Sequence, residues 1–254
     1  RAYFIDQASI QYREPAPKPK PPTSRLFEPV PFAIPASVIT LAWIDSSDQT
    51  LLIGSSRPAG FLVLERGHTT AIEVHSEPVS YERVGPVRRV GLMGHFGRDF
   101  RLGRIVDFGL REGIQHTVVD NHPRITAHRT ADVDGDGKDD LFVCGFGDYP
   151  VGRVGVWWGG GDTLQEQVLF EEPGSTWGDV ADFDGDGDLD ILIAVANSRP
   201  RLIAFVNEGG RRFVPRVIVA RPVGWGYNRC LLVDWDSDGK PDLVELSGNN
   251  LELR

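Results

Sequence analysis

Sulfur is scarce in this chain: 254 residues hold one methionine and two cysteines, Cys144 and Cys230. Two cysteines carry no clear message about compartment. Each sits in an apolar run of a different repeat and reads as a small buried hydrophobe, with a disulfide between them left open. No apolar run approaches the ~20 residues that a membrane helix needs, so no membrane insertion is expected. There is no basic stripe to neutralise phosphates, which argues against nucleic-acid binding. Catalytic signatures are missing as well. The six histidines (His68, His75, His95, His116, His122 and His128) show no metal spacing and no HExxH, and there is neither a GxSxG elbow nor a P-loop. Each histidine reads as a structural or surface residue, and Gly159 to Gly161 reads as a hairpin turn.

What the chain does have is carboxylate, placed three times in one register. Asp132, Asp134, Asp136, Gly137 and Asp140 form the first copy. Asp182, Asp184, Asp186, Gly187 and Asp190 form the second, and Asp234, Asp236, Asp238, Gly239 and Asp242 the third. Carboxylates at positions 1, 3, 5 and 9 can wrap one hard cation, and Ca²⁺ takes ~6–8 oxygen ligands at ~2.3–2.6 Å. The glycine at position 6 permits the sharp turn. The first aspartates lie 50 and then 52 residues apart, so each loop belongs to a repeating unit. These loops hold fourteen of the 36 acidic residues, so the formal charge of −9 describes metal sites more than any partner.

The flanks separate these loops from EF-hands, which need helices on both sides and a glutamate at position 12. Position 12 is Val143, Ile193 and Glu245, and only the third copy matches, with Pro241 inside its loop. Short β-branched runs follow the loops at Leu141, Ile191 and Leu243, and strand-like segments precede them. Each unit reads as four strands, in the clearest case 124–132, 140–146, 152–158 and 164–170. Four antiparallel strands per ~40–50 residues is the arithmetic of a propeller blade. Units are expected to begin near 38, 89, 126, 176 and 229, the first two without metal-binding loops. The expected fold is therefore an all-β propeller of about five blades, or a fragment of a larger one. Glu14 to Pro22 reads as a proline-rich spacer, which divides the chain into 1–37, an N-terminal strand plus linker, and 38–254, the propeller. Residues 1–12 could supply the short last blade with its outer strand. With Arg1 first, the chain is expected to be a mature or excised piece, and part of a larger multidomain protein is one reading of it.

Over residues 124–254 the acidic loops between apolar strands resemble FG-GAP/VCBS repeats, the calcium-binding blade motif of integrin alpha-chain propellers and many secreted bacterial proteins; residues 38–123 share only the rhythm. The resemblance implies calcium at about three sites. Its ligands would be Asp132, Asp134, Asp136 and Asp140; Asp182, Asp184, Asp186 and Asp190; and Asp234, Asp236, Asp238 and Asp242, with backbone carbonyls from Lys138, Asp188 and Lys240. It also implies a secreted, periplasmic or cell-surface location, where calcium is abundant. A metal enclosed in this way holds the loop and leaves little room to polarise a substrate.

The remaining candidates are aromatic and basic. Trp177, Trp225 and Tyr227 fall where the chain enters successive inner strands, with Arg229, Arg124 and His122 nearby. They make either a ligand-docking face or packing between blades. Two functional classes follow. One is a non-catalytic module that binds a glycan or a protein, as in cell adhesion; the other is a polysaccharide lyase-like enzyme on a propeller scaffold.

Overall fold

A computed structural model of the protein describes residues 39–45, 49–65, 68–94, 102–148, 151–161, 163–197, 199–222, 227–237, 239–247 and 250–253. Every regular element among them is a β-strand. The first sheet holds β1 (Ile39–Asp45), β2 (Thr50–Ser56), β3 (Ala59–Glu65) and β4 (His68–Glu73). The second holds β5 (Pro78–Val84), β6 (Val87–Leu92), β7 (Gly103–Gly109) and β8 (Gly113–His122). The third is β9 (Ile125–Ala131), β10 (Asp140–Asp148), β11 (Val151–Trp158) and β12 (Gln165–Phe170). The fourth is β13 (Ser175–Ala181), β14 (Asp190–Val195), β15 (Arg201–Asn207) and β16 (Phe213–Ala220). The fifth contains β17 (Tyr227–Val233), β18 (Asp242–Ser247) and β19 (Asn250–Leu253). Each sheet is an antiparallel meander in sequence order, which short turns between alternating segments dictate.

The sheets stack face to face, one apolar cluster at each junction. Leu52, Phe61 and Val63 meet Tyr81, Val90 and Phe108 between the first and second sheets. Ile105 and Val119 meet Ile125, Leu141 and Trp157 between the second and third. Phe142, Val156 and Trp158 meet Ile191, Ile193 and Phe205 between the third and fourth. Trp177, Leu192 and Leu202 meet Cys230 between the fourth and fifth. A sheet covered on both faces needs unbroken apolar strands rather than alternation. Accordingly β14 is buried along its whole length, whereas the outer strands β4 and β16 are mostly exposed. The first strands of successive sheets lie side by side: β1 by β5, β5 by β9, β9 by β13 and β13 by β17. This is the construction of propeller blades.

A bulge recurs at one place. In every first strand the pairing skips the second residue: Thr40, Val79, Thr126, Thr176 and Asn228. Two of the freed hydroxyls reach the next sheet. Thr40 donates to the Pro78 carbonyl at 2.5 Å, and Thr126 donates to that of Ser175 at 3.0 Å.

Two expectations change. The second unit starts at Pro78, not near 89, and Val87–Leu92 is its second strand, joined to β5 by the Gly85–Pro86 turn. β5 escapes pattern reading because its side chains pair rather than alternate: Tyr81 and Arg83 bond Asp45, and Glu82 accepts from Thr130. Cys144 and Cys230 are free thiols in different clusters, and burial pushes each up to about 12. The spacer and the strand expected in 1–12 lie outside the described residues.

Candidate metal centres

Each acidic loop joins the first two strands of its sheet, at 132–139, 182–189 and 234–241. The backbone turns through the left-handed region at positions 4 and 6. The residues there are Gly135 and Gly137 (φ 73° and 84°), Gly185 and Gly187 (80° and 98°), and Ser237 and Gly239 (62° and 87°). Ser237 therefore adopts a conformation that favours glycine. One set of hydrogen bonds repeats in all three. The position-6 amide donates to the first aspartate: Gly137 to Asp132 at 2.9 Å, Gly187 to Asp182 at 3.0 Å and Gly239 to Asp234 at 3.0 Å. The position-2 amide donates to the last: Val133 to Asp140 at 2.9 Å, Phe183 to Asp190 at 3.0 Å and Trp235 to Asp242 at 2.8 Å.

These bonds gather carboxylates. One oxygen from each of Asp132, Asp134 and Asp136 lies within 4.8 Å of the others, and the same holds for Asp182, Asp184 and Asp190 and for Asp234, Asp236 and Asp242. Oxygens on opposite sides of one Ca²⁺ stand ~4.8 Å apart, so the spacing suits a shared hard cation. Asp132 Oδ1 is buried and accepts no hydrogen bond. A carboxylate oxygen withdrawn from water in this way costs free energy unless something positive meets it. The residues present therefore fit a calcium ion.

Position 9 has a second task. Asp140 and Asp190 are almost fully buried, and their other oxygens accept from the amides of Gly159 and Asn207 at 2.8 Å, at the end of the third strand. Burial raises the pKa of both, against the lowering effect of those amides. Asp186 and Asp188 are exposed; Lys138 sets its ammonium 3.8 Å from Asp136. Asp238 lies outside the described residues.

Of the aromatic and basic candidates, Trp177 and His122 lie at different junctions. Trp177 lies within β13, not in the connection before it, and packs between the fourth and fifth sheets. His122 closes β8 and is buried edge-on to Trp157, with ring centroids 5.3 Å apart, between the second and third sheets. A Cβ at Gly145 would fall 2.4 Å from its ring. Arg124 follows with φ 31°. Trp225 lies outside the described residues, and Tyr227 and Arg229 are placed by their backbone alone, in β17.

Polar contacts between sheets are what sequence reading missed. His128 Nδ1 lies 2.6 Å from Ser80 Oγ, and Nε2 lies 3.5 Å from Glu82. Arg129 forks onto Asp179 at 2.8 and 2.9 Å. That pair is 50 residues apart, the spacing of the loops, and this was the available signal. Burial holds the His128 pKa down at about 4, against the pull of Glu82. Burial and the Arg153 charge hold His122 at about 3. Both folded values lie below the ordinary 6.5, so the stability they confer is present above about 6.5 and is lost as pH falls. Each unfolded imidazole then binds a proton that its folded counterpart refuses. In chelator, urea unfolding at about pH 5 should show roughly 3–4 kcal/mol less stability than at about pH 7. Equal midpoints would mean that these rings are not neutral in the folded state.

The geometry has a counterpart among known proteins. Two overlapping matches to the FG-GAP-like repeat cover residues 132–193 and 182–245. Residues 132–245 are thus similar to FG-GAP-like repeats. Each match starts on the first aspartate of an acidic loop and runs through its sheet into the second strand of the next. The repeat thus spans a junction between sheets and contains residues from both sides of the apolar cluster there. A comparison with curated proteins returned no match.

Proposed function

We propose that this is a calcium-stabilised β-propeller, secreted or displayed at a surface, that binds a glycan or a protein without catalysing a reaction. The observation that carries the metal half is the threefold carboxylate trio, with its buried, unmet oxygen at Asp132. The residues that would hold the ions are Asp132, Asp134 and Asp136; Asp182, Asp184 and Asp190; and Asp234, Asp236 and Asp242. When bound, calcium supplies charge neutralisation at the loops, while the chain's own amides aim the carboxylates. The recurring fastenings between sheets suit a rigid display surface. The lyase reading loses one of its candidate residues, because His122 is sealed between sheets, whereas a general base must reach substrate.

A panel of polysaccharides, run in calcium and again in chelator, tests the reading through gel retardation and release of new chain ends. Retardation without new ends, lost in chelator, is expected of a glycan-binding module. New ends would overturn the non-catalytic assignment, and silence on every glycan would leave a protein as the ligand.

A further inference from the structure

The first two acidic loops share a carboxylate pattern but not their surroundings. Arg211, on the β15–β16 hairpin of the fourth sheet, donates from Nε to Asp134 Oδ2 of the third-sheet loop at 2.7 Å. Its guanidinium carbon stands 4.6 Å above the Trp158 ring, and its carbonyl accepts from Gln167 Nε2 at 3.0 Å. Its backbone lies in the left-handed region at φ 65°, unusual for a residue with a side chain. An arginine reaching through water gains little from an ion pair, because it gives up rotamer freedom to hold one pose. Here the stack and the backbone hydrogen bond hold it in place beforehand, and Asp134 is largely buried beneath it.

The same hairpin clasps the loop a second time. The Asn207 side-chain amide donates to the Val133 carbonyl at 2.9 Å and to the Leu189 carbonyl at 3.1 Å. The position-7 side chain adds another positive charge, since Lys138 faces Asp136 where the second loop has Asp188. Among the described residues no basic side chain pairs with Asp182, Asp184, Asp186 or Asp190.

We infer that Arg211 is a built-in counter-cation of the first loop: it lowers that loop's affinity for calcium below that of the second, so the two fill in sequence. This rests on the calcium reading above. Affinity in loops of this type follows the number of uncompensated ligand charges. A divalent ion drawn to Asp134 must share its carboxylate with a fixed guanidinium, and like charges so close repel. The benefit lies in the cation-free state. The junction between the third and fourth sheets keeps an ion pair across it, so the first loop reports high calcium while the second holds the fold at low calcium.

Calorimetric titration of the intact chain with calcium tests this in wild type, Arg211→Gln and Arg211→Met. The expected result is one class of site tightened roughly 3- to 30-fold in both variants, the size of a partly screened charge interaction. The other sites should stay within about twofold, being a repeat away. Adding Asp132→Asn to the variant should abolish the tightened class, which assigns it to the first loop. The gain should shrink between about 20 and about 500 mM NaCl, where the screening length contracts several-fold. Unchanged or weaker binding in a folded Arg211→Gln protein overturns the inference but leaves the calcium reading standing. Absence of calcium binding at every site overturns both. Should Arg211→Gln fail to fold, Arg211→Met keeps the apolar stack on Trp158 and decides the question alone.

Discussion

In chelator the protein should melt roughly 15–50 °C below its melting temperature in millimolar calcium. An ion that binds only the folded form adds ~2.7–4.1 kcal/mol per site at a hundred- to thousand-fold excess over its dissociation constant. For a chain of this size each kcal/mol moves the midpoint by ~2–4 °C, and each of the three loops gathers a trio of carboxylates. Metal-free, the loops also carry a cost. Carboxylate oxygens within 4.8 Å repel, and Asp132 Oδ1 is buried without a donor from the chain. Magnesium at equal concentration should restore only a small part, because it demands a tighter octahedron and gives up its waters reluctantly. Scanning by circular dichroism in calcium, magnesium and chelator decides it. Superimposed curves would mean that the acidic loops are solvated turns and that calcium plays no part in the fold.

Replacing Asp190 with alanine should cost roughly 3–5 kcal/mol even when no calcium is present. Its carboxylate is buried and accepts the amides of Phe183 and Asn207. Truncation leaves two backbone donors in the interior without an acceptor, at ~1–3 kcal/mol each. Asp184→Ala makes the contrast. That side chain is exposed, and its one bond is to the Asp186 amide at 3.3 Å. In chelator its loss should be neutral or mildly stabilising, since a like charge is removed; in calcium it should be destabilising. Urea unfolding of both variants in each condition separates the roles. If Asp190→Ala matches wild type in chelator, position 9 is a ligand and nothing more.

The third and fourth sheets were legible almost to the residue. The strands expected at 140–146 and 152–158 are β10 (Asp140–Asp148) and β11 (Val151–Trp158), because sheets covered on both faces demand unbroken apolar runs bounded by turn residues. The acidic loops were legible for a different reason: a cation needs oxygens at fixed intervals, and sequence records intervals directly. What sequence hid was partnership. β5 was lost because Glu82 and Arg83 look like a solvated segment until Thr130 and Asp45 are seen across the junction. Trp177 read either as a docking ring or as packing between blades, and it lies buried at the junction of the fourth and fifth sheets. Arg211 could not be linked to Asp134 by any periodicity, since 77 residues separate them.

The bulged threonines carry one more implication. A hydroxyl freed at the start of one first strand ties it to the start of the next, as Thr40 does with Pro78 and Thr126 with Ser175. Every sheet therefore draws its support from the sheets beside it, as the stations of a one-dimensional lattice do. In such a lattice a station with two neighbours outlasts a station with one. Opening is expected to start at the ends of the described array and travel inward, so that the third sheet, covered on both sides, is the last to come apart.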